Sequence, residues 1–348
     1  MDINVLKQTA QALVAPEKGI LAADESSKTV QKRFDNIKDV SSSAYKIGLQ
    51  STPETNLTYR KMLLAAPGIE QFISGVILFD ETIRQSIDGQ SVSKFLESKG
   101  ILPGIKVDKG VWKMANFPGE KITEGLDGLR DRLMEYKEMG AKFAKWRAVF
   151  TIDDGLPAGR QGIPTDTCIE ANAEVLAMYA ALCQEADLVP IVEPEVLMDG
   201  GHDLAKCREV TTKTLKVVFD RLKAHEVVLE GMLLKPNMVI SGKDSSTQVS
   251  SKEVAEATVQ TFLEVVPKDV SGIVFLSGGQ TPDQATDNLA AINQISGSPW
   301  QLSYSFGRAL QGEALDAWAG KEENVPAAQK AFLERAQKVS LARSIKPA

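Results

Sequence analysis

The chain has 348 residues, of which 43% are hydrophobic and 25% charged, and its formal net charge is −6. This composition is typical of a globular protein with a large buried core. The charge is spread along the sequence without a basic block, which argues against nucleic acid or an anionic membrane surface as the main partner. An anionic ligand would therefore need a local cationic pocket.

The N-terminal segment and the few cysteines and histidines restrict the class of protein further. The first residues are acidic and polar, and no stretch approaches the length of a membrane span, so we predict a cytoplasmic protein with no membrane partner. Cys168, Cys183 and Cys207 are widely spaced without a CxxC, which predicts three buried thiols rather than a disulfide framework or a zinc ribbon. His202 and His225 lie far apart, so we expect no histidine-rich metal site.

Short apolar runs bounded by glycine or proline recur along the chain and predict eight β-strands. In chain order they are Gly19–Asp24, Ile73–Phe79, Gly104–Asp108, Ala141–Arg147, Leu188–Glu193, Gly231–Lys235, Gly272–Ser277 and Trp300–Ser305. Segments with helical spacing lie between them, and the clearest are Asp166–Glu185, Asp203–Ala224, Lys252–Val266 and Pro282–Ile295. Strand and helix alternate, which implies a parallel sheet.

Eight such units without an obvious linker predict an α/β fold, a single (β/α)8 TIM barrel over residues 1–348. Asp2–Leu13 would form an extra N-terminal helix and Ala327–Ala342 a C-terminal helix, and an open doubly wound sheet is the alternative. In a barrel the reactive side chains gather at the carboxyl ends of the strands. The predicted strands end in polar residues, namely Asp24, Asp108, Lys145, Glu193, Lys235, Ser277 and Ser305.

One lysine, Lys235, lies inside the apolar run from Gly231 to Val239. Burial disfavours an unpaired ammonium, and the neutral amine is a nucleophile toward a carbonyl carbon. Lys235 is therefore a candidate Schiff-base former. Because a free lysine is almost fully protonated at pH 7, we expect a nearby cation to assist, and Lys145 and Arg147 are the candidates.

Polar side chains also recur at a period of two, which places both members of a pair on one face of a strand. The pairs are Lys106 with Asp108, Lys145 with Arg147, Glu193 with Glu195, and Ser303 with Ser305. Each pair alone could be a satisfied core ion pair, but their convergence on one rim favours a site. Glu193, Glu195 and Asp24 would relay protons between a carbinolamine and leaving hydroxyls, which indicates imine chemistry rather than hydrolysis.

The residues at the ends of the last two predicted strands indicate a phosphate-binding site. Ser277, Gly278 and Gly279 offer bare backbone amides at a loop, and the next strand end adds Gly307 and Arg308. Loops after strands seven and eight of a barrel often hold phosphate, although a tight turn beside a surface arginine is the alternative. A second phosphate across the mouth would be held by Lys106 together with three residues after the first strand, namely Ser26, Thr29 and Arg33.

The chain resembles class I fructose-bisphosphate aldolases from near Ile20 to about Leu341. The motifs that carry the resemblance are Leu21-Ala-Ala-Asp-Glu-Ser26, Gly104-Ile-Lys-Val-Asp-Lys-Gly110, Phe143-Ala-Lys-Trp-Arg147, Val189-Pro-Ile-Val-Glu-Pro-Glu195, Leu229-Glu-Gly-Met-Leu-Leu-Lys-Pro-Asn-Met238, Phe275-Leu-Ser-Gly-Gly-Gln280 and Phe306-Gly-Arg-Ala-Leu-Gln311. The resemblance implies reversible cleavage of fructose 1,6-bisphosphate to dihydroxyacetone phosphate and glyceraldehyde 3-phosphate without metal or other cofactor. It also implies a barrel that is commonly a homotetramer.

Residue by residue, the resemblance implies that Lys235 forms the imine and that Glu193 is the acid/base at the departing hydroxyl. Asp24, Lys145 and Glu195 would assist imine formation and charge balance. The ketone-side phosphate would be held by Ser277, Gly278, Gly307 and Arg308, and the aldehyde-side phosphate by Ser26, Thr29, Arg33 and Lys106. Arg147, Gly279 and Ser305 complete the predicted substrate-binding set.

The chain departs from the animal members in places. They carry a C-terminal tail ending in tyrosine that assists proton transfer, whereas this chain has no tyrosine after Tyr304, so the donor to the enamine is unassigned. Leu57 and Thr58 replace an arginine pair of those members.

Three alternative functions compete with this interpretation of the sequence. The first is another Schiff-base barrel, such as a transaldolase, which holds one phosphate. The second is a non-catalytic scaffold, and the third is a zinc-dependent aldolase, against which the isolated histidines argue.

Overall fold

The computed structural model describes residues 1–37, 48–153, 155 and 162–344. Within these ranges eight parallel strands form a closed barrel in which each strand pairs with its neighbours in the chain and the first pairs with the last. They are β1 Gly19–Ala23, β2 Ile73–Leu78, β3 Leu102–Lys106, β4 Phe143–Phe150, β5 Val189–Val196, β6 Leu233–Leu234, β7 Gly272–Phe275 and β8 Gln301–Phe306. The predicted (β/α)8 barrel is confirmed, and the open doubly wound alternative is wrong.

Helices follow the strands and surround the barrel. They are α1 Ile3–Leu13, α2 Ser27–Phe34, α3 Pro53–Leu64, α4 Asp80–Ile83, α5 Val92–Ser98, α6 Leu129–Glu138, α7 Asp166–Glu185, α8 Leu204–Ala224, α9 Ser251–Val265, α10 Pro282–Gln294, α11 Arg308–Trp318 and α12 Val325–Ser344. Side-chain caps fix where several of them begin, because they satisfy amide donors that the first turn leaves free. Asp203 caps α8, and Ser250 forms a capping box with Glu253 at α9. The predicted N- and C-terminal helices are α1 and α12.

The amino end of the barrel is closed by apolar side chains. Leu6, Ala10 and Leu13 of α1 pack against inward-facing residues of the strands, including Phe143 of β4. A Cβ on Gly104 would lie 2.3 Å from the Phe143 ring, so the neighbouring strand must carry glycine at this point. This packing leaves the opposite, carboxyl end of the barrel as the place for polar side chains.

A second and larger core lies between the outer face of the barrel and the helices. Cys168, Cys183 and Cys207 are buried there as free thiols, as predicted. Among the described residues, the helices are all too short or too polar to cross a bilayer.

Candidate active site

A cavity of about 900 Å³ opens at the carboxyl ends of the strands. All of the predicted catalytic residues line it, namely Asp24, Lys145, Glu193, Glu195 and Lys235. Most of the predicted binding residues line it as well, namely Ser26, Thr29, Arg33, Lys106, Arg147, Ser277, Gly278, Ser305 and Gly307. Gly279 and Arg308 are exposed and lie outside this lining, so their predicted phosphate contacts stay predictions.

The centre of the cavity is a chain of buried ion pairs. Glu193, from β5, lies between two lysines, with Oε1 3.2 Å from Lys235 Nζ and Oε2 3.2 Å from Lys145 Nζ. Lys145, from β4, also pairs with Asp24 at 2.7 Å. Lys235 follows β6 directly and is only 4% exposed. The ends of β1, β4 and β5 therefore place Asp24, Lys145 and Glu193 around Lys235.

The ion pairs decide the protonation of both acids. Burial alone would raise the pKa of Asp24, but Lys145 and Lys235 outweigh it and hold that pKa well below its usual range. The same balance, with Arg147 as a further cation, lowers the pKa of Glu193. Burial would lower the pKa of Lys145, and the carboxylates Asp24 and Glu193 raise it instead. At neutral pH both acids are thus carboxylates, able to accept protons.

Two more ion pairs flank this centre. Arg147 Nε lies 2.5 Å from Glu195 Oε2, and Lys106 Nζ lies 2.5 Å from Asp108 Oδ1. The period-two spacing thus placed the polar faces of β3, β4 and β5 correctly. Of the two cations expected beside Lys235, it is Lys145 that shares a carboxylate with it, whereas Arg147 is bound to Glu195.

The ends of β7 and β8 form the opposite wall. A Cβ on Gly278 would lie 2.4 Å from Glu195 Oε1, so the glycine permits a close approach of loop and carboxylate. Ser305 is buried, and its hydroxyl has no hydrogen-bond partner within the described part of the chain. A buried donor without a partner is costly, so this hydroxyl is available to a ligand. Across the mouth, the Ser26 and Thr29 hydroxyls lie 3.2 Å apart.

Some lining residues were not predicted as part of the site. Glu25 follows Asp24 in the first motif and pairs with Arg33 at 2.6 Å. Asp80, Arg84, Arg132 and Tyr136 reach the cavity from α4, the residue after it, and α6. Glu25 lay beside a predicted residue, but nothing in the spacing of the others links them to the strand ends.

Fold and site together are those of a (β/α)8-barrel enzyme with a lysine–carboxylate centre. The family model described as class-I fructose-bisphosphate aldolase matches residues 5–346. The "Probable fructose-bisphosphate aldolase class 1" of Xanthomonas campestris pv. campestris is 51% identical over 98% of both chains. The fructose-bisphosphate aldolase of Dictyostelium discoideum is 47% identical over 96% of this chain and 90% of its own.

A solved structure agrees with these sequence matches. Fructose-bisphosphate aldolase from Plasmodium falciparum, in complex with TRAP and a small-molecule inhibitor, superimposes with a TM-score of 0.92. The two chains are 46% identical, and the match covers 99% of this chain and 96% of that one. The chain belongs to the class I fructose-bisphosphate aldolase family, which confirms the resemblance carried by its motifs.

Proposed function

We propose that this protein reversibly cleaves fructose 1,6-bisphosphate to dihydroxyacetone phosphate and glyceraldehyde 3-phosphate through an imine on Lys235. The observation that carries the proposal is the position of Lys235, which faces the cavity at 4% exposure with Glu193 3.2 Å away. The relatives from Xanthomonas and Dictyostelium, named as fructose-bisphosphate aldolases, support the choice of substrate.

In the first half of the reaction the Lys235 amine adds to the C2 carbonyl, and loss of water leaves a protonated imine. The amine must first give up a proton, and the Glu193 carboxylate is its immediate neighbour. Lys145 and Asp24, linked at 2.7 Å, would pass a second amine proton to the carbinolamine oxygen, and Glu193 would return its own proton to the departing water, so that it is a carboxylate again before cleavage. The imine itself provides the electron sink, so we propose that no metal or other cofactor takes part.

In the second half the C3–C4 bond breaks. The Glu193 carboxylate takes the C4 hydroxyl proton, the C4–O bond becomes a carbonyl, and the electron pair of C3–C4 moves into the imine to leave an enamine. Glu193 suits this step because its lowered pKa keeps it ionised. Glu195, bound to Arg147, would balance charge beside it.

Fixed cations and amides would orient the open-chain sugar. For the ketone-side phosphate we propose the ends of β7 and β8, with Ser277, Gly278, Gly279, Ser305, Gly307 and Arg308. For the aldehyde-side phosphate we propose the opposite rim, with Ser26, Thr29, Arg33 and Lys106. We also propose that residues 1–348 form one catalytic domain and that the protein is cytoplasmic. We propose that it assembles as a homotetramer, and size-exclusion chromatography with light scattering would test that oligomeric state.

The test is a cleavage assay in excess EDTA with wild type, Glu193→Gln, and Glu256→Gln as a control on the exposed surface of α9. Wild type and the control should keep full activity, whereas Glu193→Gln should lose roughly 10²–10⁴-fold in kcat, since glutamine cannot take the proton. Loss of wild-type activity in EDTA would contradict metal independence. Near-normal turnover by Glu193→Gln would assign the proton transfer to another group.

A further inference from the structure

Behind the wall of the cavity, between β1, α3 and α11, lies a buried polar network centred on Gln311. The Gln311 amide oxygen accepts hydrogen bonds from the Tyr59 hydroxyl at 2.6 Å and from Arg33 Nη1 at 3.2 Å. Its amide nitrogen donates to the Ala22 carbonyl at 2.6 Å and to Glu25 Oε1 at 3.1 Å. All four hydrogen-bonding positions of the amide are used, and a flipped amide would set donors against donors. The surroundings therefore fix its orientation.

A buried carboxylate holds the same network from the other side. Glu25 Oε1 pairs with Arg33 Nη2 at 2.6 Å, and Glu25 Oε2 pairs with Arg60 Nη2 at 2.6 Å. Arg60 is 1% exposed and lies over the Tyr59 ring, 5.3 Å from its centroid. An arginine cannot shed its proton to escape burial, so these pairs must stay formed in the folded protein. The orientation of the Arg33 guanidinium is thus fixed by Glu25 and Gln311 together.

The location of Arg33 suggests a function for these contacts. Arg33 lines the cavity, whereas Gln311, Arg60 and Tyr59 do not. A Cβ on Gly307 would lie 3.6 Å from Arg33 Nη2, so the guanidinium lies beside the end of β8 although Arg33 itself is on α2. Gln311 is on the first turn of α11, just after Gly307. Arg33 accordingly lies where the two proposed phosphate sites approach each other.

We propose that Gln311, supported by Glu25, Arg60 and Tyr59, is a positioning residue that aims the Arg33 guanidinium at a substrate phosphate. The inference rests on the proposed function, since it requires that Arg33 binds phosphate. Gln311 does not line the cavity, and Arg33 is its only cationic hydrogen-bond partner among the described residues, so its effect on a bound phosphate should pass through Arg33. Removing Gln311 should therefore matter only while Arg33 is present.

This dependence makes a mutant cycle the decisive experiment. We would measure kcat/KM for fructose 1,6-bisphosphate in wild type, Arg33→Ala, Gln311→Met and the double variant. Each single change should lower kcat/KM by roughly 10-fold or more, through KM, as expected for a misdirected charged hydrogen bond. The double variant should be no worse than Arg33→Ala, because residues that act as one unit are not additive. Losses that multiply in the double variant would overturn the inference.

Two further variants separate positioning from a loss of folding stability. Gln184→Met is the matched control: Gln184 is a buried glutamine on α7 that bonds the backbone at Val228 and Gly231, away from the cavity. Its melting temperature should fall as in Gln311→Met, but its KM should not change. Should Gln311→Met fail to fold, Tyr59→Phe removes one hydrogen bond to Gln311 and keeps the ring. Its KM should rise by roughly 2–5-fold with Arg33 present, and an equal rise in the Arg33→Ala background would contradict positioning.

Failure of the underlying function would look different. If Arg33→Ala itself left KM unchanged, the phosphate role of Arg33 would be wrong, and the inference would fall with it. If Arg33→Ala raised KM while Gln311→Met did not, the proposed phosphate site would stand and the positioning role alone would be overturned.

Discussion

Two cations are held at opposite ends of the same barrel, and their environments differ. At the amino end, Arg343 of α12 donates to the carbonyls of Ala15 and Leu302, at 2.6 and 3.0 Å, and burial lowers its pKa to about 10. At the mouth, Lys145 is buried more deeply, yet Asp24 and Glu193 raise its pKa. Carbonyl dipoles compensate a buried charge only in part, whereas carboxylates more than compensate it.

The difference separates a packing end from a chemical end. The amino end is filled by α1 and apolar strand residues, and Arg343 ties the last helix to it. The mouth holds alternating lysines and carboxylates around Lys235. A change at the mouth should therefore alter catalysis and its pH dependence, and a change at the amino end should alter stability alone.

Lys145→Met, at the centre of the mouth, should produce the largest effect. Without that ammonium, the largest cationic offset to burial at Asp24 and Glu193 is lost, so both pKa values should rise. In wild type, kcat/KM should fall with acid only below pH 4.5, the ordinary pKa of a glutamate, because the pKa of Glu193 is lowered. In Lys145→Met this fall should begin at a higher pH. Loss of the lysine that pairs with both buried carboxylates should cost roughly 3–5 kcal/mol of unfolding free energy. An unchanged pH profile would show that Lys145 does not set the charge of Glu193.

Gly278→Ala should produce an intermediate effect at the mouth. The new Cβ would lie 2.4 Å from Glu195 Oε1, so the Glu195 carboxylate must shift from the position in which it pairs with Arg147. We expect kcat/KM to fall by roughly 10-fold from this displacement. The matched control is Gly312→Ala on α11, where a Cβ meets no atom within 4 Å, and whose activity should stay at the wild-type level. Equal kinetics for the two variants would mean that the position of Glu195 does not affect catalysis.

Arg343→Met should have the smallest effect on activity. It removes hydrogen bonds to backbone carbonyls at the amino end, which should lower the unfolding free energy by roughly 1–3 kcal/mol in urea titrations. KM and kcat should not change. A loss of activity in protein that is still folded would mean that the two ends of the barrel are coupled, contrary to the comparison.

The regular part of the fold was predictable from sequence. Each predicted strand overlaps an observed one, because apolar runs bounded by glycine or proline mark buried parallel strands. The sixth strand is the least regular: Gly231–Lys235 was predicted, and only Leu233–Leu234 is extended and paired. Backbone pairing nevertheless continues at Lys235, whose amide donates to Val192 at 2.8 Å.

The site was predictable where strand ends supply it and less so elsewhere. Lys235 and Glu193 follow from the strand ends and their spacing, since in a closed barrel all of these ends meet at one mouth. The network of Arg33 with Gln311 was missed because its members are 278 residues apart and Gln311 carries no charge. Arg308 was predicted as a phosphate ligand from its position at the end of the eighth strand, and it is exposed outside the cavity lining.

The central claim is the imine on Lys235, and chemical trapping tests it most directly. The folded protein would be treated with fructose 1,6-bisphosphate and borohydride in excess EDTA, and its peptides mapped by mass spectrometry. We predict a reduced sugar-phosphate adduct on the peptide containing Lys235, and none at that position in Lys235→Met. Absence of an adduct, or an adduct on another lysine such as Lys145 or Lys106, would contradict the mechanism.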